Sequence, residues 1–229
     1  MIEISYKNPF FIIAFIFFIT QYNCSDKNKV LDEYLQIDKY LYYKDDILVL
    51  EKIISNSCKD VNNNNLFEYS ECSIDSIYDE NNNGIVDPLE VGVTEWGENR
   101  RLIVLFAPNR GLSGIFPESI WNLTKLKKLD LRNNQLTGKF PRGIENLNNI
   151  KEIWLDNNSI SGEIYDDFNI LDSLTILSIQ NNLFTSISDS LCETTDLLIY
   201  FSFSGNKICD VSELSDCTLD LIQNTQDCE

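Results

Sequence analysis

The sequence predicts an α/β fold: a right-handed solenoid forming a short horseshoe segment, with one parallel strand in every 24-residue row and a disulfide-bearing cap at each end. Three observations carry that prediction. From Leu102 onward the chain falls into five rows of 24 in register, at Leu102, Leu126, Ile150, Leu174 and Leu198. Cysteines gather before residue 102 and after residue 191, toward the two ends of the stack. With 43% hydrophobic and 11% aromatic residues over 229 positions, the chain has enough apolar material for a continuous core rather than a disordered tail.

Within each row the apolar spacing is three and then two. After the row starts come Leu105, Leu129, Ile153, Leu177 and Phe201, followed by Ala107, Leu131, Leu155, Ile179 and Phe203. An in-out-in run of this length is a strand with one buried face. Three residues further stand Arg110, Asn134, Asn158, Asn182 and Asn206, then Leu112, Leu136, Ile160, Phe184 and Ile208. A carboxamide has donors and an acceptor together, so a column of asparagines can satisfy the backbone groups that a turn points inward, row after row.

Downstream the rows carry Gly114, Gly138 and Gly162, then Pro117 and Pro141, then Ile120, Ile144 and Phe168, then Leu123, Leu147 and Leu171. The stretch Leu126 to Pro141, Leu-Lys-Lys-Leu-Asp-Leu-Arg-Asn-Asn-Gln-Leu-Thr-Gly-Lys-Phe-Pro, resembles the plant-type leucine-rich repeat, LxxLxLxxNxLxGxIP. The resemblance covers residues 102–209, about half the chain, and weakens in row four, where Ser186 and Asp189 replace Gly and Pro. It implies a concave face of parallel strands that binds other molecules, as in secreted repeat proteins and receptor ectodomains.

A repeat cannot bury its own apolar edge, so both ends need caps. Residues 45–58 read as a capped amphipathic helix closing in Cys58, and residues 92–96, Gly-Val-Thr-Glu-Trp, are similar to the family's cap strand. The expected organisation is a signal peptide over 1–24, an N-terminal cap region over 25–101, five repeats over 102–209 and a C-terminal cap over 210–229. The leader rests on the Phe/Ile run Phe10–Ile19 behind Lys7, too short to span a bilayer. A secreted, extracellular product with no membrane span in the mature chain follows. Export suits disulfides, and the chain has no His to build a metal-thiolate site with its cysteines. Cys58 with Cys72 is the bridge expected for the first cap, with Cys192, Cys209, Cys217 and Cys228 pairing among themselves.

Net charge is −18 and lies in the flanks: residues 102–209 hold 9 basic and 12 acidic groups, whereas 210–229 hold none and 6. Such a chain gains no counterion release on a phosphate backbone, which excludes nucleic acid as the expected partner. No cofactor is required, although calcium fits one loop. Asp79 to Glu90 matches D-x-[DN]-x-[DN]-G-x5-E, offering Asp79, Asn81, Asn83, the Ile85 carbonyl, Asp87 and Glu90 as oxygen ligands. Residues 60–71 repeat the pattern with Asn65 in place of Gly. Asn122 and Asn157 begin N-glycosylation sequons.

Strand alternation turns three columns of side chains outward on the concave face. They are Val104, Lys128, Glu152, Ile176 and Tyr200; Phe106, Asp130, Trp154, Ser178 and Ser202; and Pro108, Arg132, Asp156, Gln180 and Ser204. Trp154 with Arg132 is the anchor expected for a ligand, with Asp130, Glu152, Asp156, Phe106, Ile176 and Tyr200 around it. The leading expectation is a recognition protein, not an enzyme, for an extracellular protein, peptide or carbohydrate. A calcium-dependent structural or adhesive surface component is the second reading. A glycoside hydrolase using Asp130, Glu152 and Asp156 is the remote third.

Overall fold

The computed structural model describes residues 34–37, 40–58, 88–165, 168, 170–194, 198–212, 214–222 and 226–228. The leader, both Asn-rich loops up to residue 87 and Cys72 lie outside the described residues. An antiparallel hairpin, β1 (Tyr34–Ile37) with β2 (Tyr40–Tyr43), leads into helix α1 (Lys44–Ser57). Strand β3 (Val93–Trp96) precedes the repeats and pairs antiparallel with β4 (Leu102–Phe106). The concave sheet continues in parallel through β6 (Lys128–Asp130), β8 (Glu152–Trp154), β10 (Ile176–Ser178) and β12 (Tyr200–Ser202). Each of its parallel pairs is offset by 24 residues, so the columns read from the sequence are the columns of the sheet.

Every inward strand residue of rows one to four is at most 1% exposed, because stacking buries what a single row cannot. Row five is the end of the stack, and Leu198 and Phe201 are only partly buried there. The asparagine column does what its chemistry requires. Asn134 accepts from the backbone N–H groups of Arg110 and Leu112, and its Nδ2 donates to the carbonyls of Ala107 and Leu131. Asn158, Asn182 and Asn206 repeat the pattern one row later each time.

The rows hold more strand than their periodicity shows. A second parallel sheet runs through β5 (Ser113–Ile115), β7 (Gln135–Lys139), β9 (Ser159–Ile164) and β11 (Leu183–Ile187). Its glycines hide it from an alternation count: Gly114, Gly138 and Gly162 adopt positive φ, where most side chains are strained. At Gly114 the need is doubled, since a Cβ would lie 2.3 Å from the Asn56 carbonyl oxygen of α1. Row four has Ser186 at this position, and the pairing of β11 with β9 slips between Phe184 and Ser186. The convex side between sheets carries short 3-10 turns, so α-helix is confined to the caps among the described residues.

The caps hold the ends by different means. Asp46 of α1 is fully buried, accepts both Nε (2.9 Å) and Nη2 (3.0 Å) of Arg101 and receives the Leu102 N–H at 2.7 Å. The expected capped start is not seen: the N-cap is Tyr43, with no side-chain capping bond, and the first-turn carboxylate of Asp46 is turned onto the first repeat. At the far end, α2 (Asp216–Ile222) packs beside β12 and a disulfide joins Cys209 to Cys228. Cys58 and Cys192 are also disulfide-bonded.

Candidate functional site

Alternation places the outward columns on one face, but their side chains are not equally reachable. Arg132 donates Nε (3.1 Å) and Nη2 (2.8 Å) to Asp130, whose side chain has no exposure, and its guanidinium carbon sits 4.6 Å from the centre of the Trp154 ring. On the C-terminal side the Trp154 ring stacks on Tyr200, 5.5 Å between centroids and 26° between planes. The two rings meet diagonally across row four, where Ser178, the register neighbour of Trp154, is small and wholly buried, and Ile176 is the register neighbour of Tyr200. Trp154 is therefore flanked from row two and from row five, and it presents an edge rather than an open ring face.

The carboxylates depart from the expected arrangement. Asp130 and Asp156 belong to outward columns yet are 0% and 2% exposed, so neither reaches a ligand directly. Both are supports: Asp130 fixes Arg132, while Asp156 accepts from the Ser178 hydroxyl and, at 3.1 Å, from the Gln180 N–H. Burial raises the Asp156 carboxyl above its ordinary value, and the Ser178 and Gln180 bonds oppose that rise. Glu152 remains accessible. Its Oε2 accepts Lys128 Nζ at 2.7 Å and Trp154 Nε1 at 3.1 Å, and the Lys128 bond holds its carboxyl below the usual range. A group held ionised in this way is poorly suited to give a proton to a leaving group.

Phe106 and Ile176 are half-buried, Tyr200 is 42% exposed, and Lys128 stands 6.0 Å from the Phe106 ring. Lys128, outside the expected set, is also a member of the face, and its place beside Glu152 in the first outward column was the signal for it. The face is thus one connected layer, Phe106 to Lys128 to Glu152 to Trp154 to Tyr200, with the charges of Lys128, Arg132, Glu152 and Asp130 matched inside it.

The sequons differ as well. Asn122 is exposed at the end of a convex 3-10 turn. Asn157 donates its Nδ2 to Asn133 at 2.7 Å and accepts from Asn181 at 2.8 Å, within a surface ladder of left-handed asparagines. Of the expected calcium ligands, Glu90 is described and Asp79, Asn81, Asn83, Ile85 and Asp87 lie outside the described residues; no cluster of metal-binding side chains occurs among the described residues. No described helix is long and apolar enough to cross a membrane.

Residues 107–160 match the leucine-rich-repeat family. No curated protein matches the chain in sequence. Among solved structures, a chain of the BIR3–SERK2 complex from Arabidopsis thaliana is 24% identical, with 69% of this chain and 81% of that one covered and a TM-score of 0.50. The PEPR1–AtPEP1 structure aligns at 18% identity and TM-score 0.54 over 70% of this chain, which spans only 21% of that one. The ectodomain of the Arabidopsis thaliana receptor kinase SOBIR1 is 20% identical at TM-score 0.49, with 72% and 81% covered. Row spacing, the asparagine ladder and the fold shared with these structures make residues 102–209 an α/β leucine-rich-repeat solenoid whose rows resemble the plant type.

Proposed function

We propose that the chain is an extracellular recognition protein that binds an extended protein or peptide segment along its concave face. The observation that carries this reading is the Arg132–Trp154–Tyr200 stack, an aromatic ridge on a sheet surface whose neighbouring charges are already paired. A face whose accessible charges are paired favours a partner that contributes apolar side chains and backbone hydrogen bonds, and Trp, Tyr and Arg are the residue types that dominate binding energy when a partner excludes water from them. Phe106 and Ile176 extend the apolar surface to either side. Secretion supplies the setting, with glycan expected at Asn122; at Asn157 a glycan on Nδ2 would crowd the asparagine ladder.

The test is a binding screen of the secreted protein against extracellular proteins, peptides and cell-wall glycans, repeated with Trp154→Ala. Affinity for the true partner should fall by at least about 2 kcal/mol. Undiminished affinity for every partner recovered would place recognition elsewhere, and capture of glycans alone would replace the peptide reading with a carbohydrate one.

A further inference from the structure

The last strand of the concave sheet is left open along one edge. In rows one to four the amide at the strand's end donates to the following row: Ala107 to the Asp130 carbonyl, Leu131 to Trp154, Leu155 to Ser178 and Ile179 to Ser202. One carbonyl at the start of each strand segment accepts from the following row: Ile103 from Lys127, Lys127 from Lys151, Lys151 from Thr175 and Thr175 from Ile199. In row five the matching groups are the Phe203 N–H and the Ile199 carbonyl, and no described backbone group pairs with either.

The C-terminal cap closes the neighbouring turn instead. Gln226 Nε2 donates to the Phe203 carbonyl at 3.2 Å, taking the part that the next row's asparagine plays elsewhere, and the Asp227 N–H reaches the Asn206 carbonyl at 2.7 Å. Beside the open edge, Ile199 is 83% exposed and Tyr200 42%. Residues 198–204, Leu-Ile-Tyr-Phe-Ser-Phe-Ser, contain no charge and no proline, the devices that usually defend a sheet edge. Next to β12 lies α2, with Asp216 and Asp220 exposed, in a segment that holds six acidic residues and no basic one.

We infer that β12 is a docking edge that accepts a strand from a partner protein, and that the incoming segment alternates apolar and basic side chains. Backbone pairing would satisfy the open rungs, an apolar residue would cover Ile199, and lysine or arginine would meet the carboxylates of α2. A second copy of this chain is the wrong complement, since pairing β12 with itself would bring two acidic caps together.

The probe is a labelled octapeptide of alternating valine and lysine, titrated into the full chain and followed by fluorescence anisotropy. It should bind at least about ten-fold more tightly than a glycine–lysine or a valine–glutamate octapeptide. Ile199→Asp, and separately Asp216→Asn with Asp220→Asn, should each weaken it by about ten-fold, whereas Thr137→Val on the second sheet should leave it unchanged. Ile199 and both aspartates are exposed, so these variants keep the core intact. Equal binding of the glycine–lysine peptide would reduce the effect to bare charge and overturn the inference. So would indifference to Ile199→Asp, or sedimentation showing a wild-type dimer that Ile199→Asp dissolves.

Discussion

The two parallel sheets are built by the same rows, yet one repeats its chemistry and the other does not. On the second sheet Thr137, Ser161 and Thr185 stand 24 residues apart, and each donates its hydroxyl to the carbonyl of Gly114, Gly138 or Gly162 in the row before. On the concave sheet the equivalent walk from Val104 to Tyr200 meets a different side chain at each step, Val, Lys, Glu, Ile and Tyr. Repeated bonds join a row to any neighbour and make the solenoid cohere. Unrepeated side chains give each point of the face its own size and polarity, which is what discrimination between partners requires.

The asparagine column is where both sheets meet, and breaking it should produce the largest effect. Asn182 is 3% exposed and links the Ile160 N–H of the second sheet to the Leu155 and Ile179 carbonyls behind the concave strands. Asn182→Ala would leave several buried groups unmatched at about 1–3 kcal/mol each. Urea unfolding should show a loss of at least about 3 kcal/mol; a loss under 1 kcal/mol would mean that the rows adhere by apolar packing alone.

A smaller and pH-dependent effect belongs to the concave side. Because burial raises the Asp156 carboxyl, its contribution to stability is full below its unfolded value and is lost as the pH rises through its folded value. Asp156→Asn keeps an acceptor for Ser178 and Gln180 without the charge. The variant's stability relative to wild type should therefore improve from acid toward neutral pH, and unfolding midpoints compared at both ends would reveal a flat difference if the burial is not felt. The smallest change is expected on the second sheet, where Thr137→Val removes one exposed hydroxyl bond. It should cost about 0.5–1 kcal/mol and leave partner affinity unaltered. A variant that instead disturbed binding would dissolve the division of labour between the sheets.

Much of the fold was legible in the rows. The strand face, the core columns and the asparagine ladder are properties of spacing and residue chemistry, and spacing survives in the sequence unchanged. The N-terminal helix was legible from its own local pattern, and the cap strand from its resemblance to the family's. The second sheet was not, because three of its four strands carry a left-handed glycine that defeats an alternation count. Of the candidate site, Trp154, Arg132, Glu152 and Tyr200 were found and do come together.

Sequence alone determined which side chains share a face; only the tertiary structure decided which of them a partner can touch. Alternation fixes the direction of a Cβ, whereas exposure depends on how far long side chains lean across rows roughly 4.8 Å apart. Arg132 leans over Asp130, Trp154 and Tyr200 close over buried Ser178, and Asp156 turns beneath to Ser178 and Gln180. The end of the stack was decided in the same way. Gln226 replaces a sixth asparagine from a position outside the 24-residue period, where no column points to it, and it leaves the edge of β12 open because a carboxamide can cap a turn but cannot supply a strand.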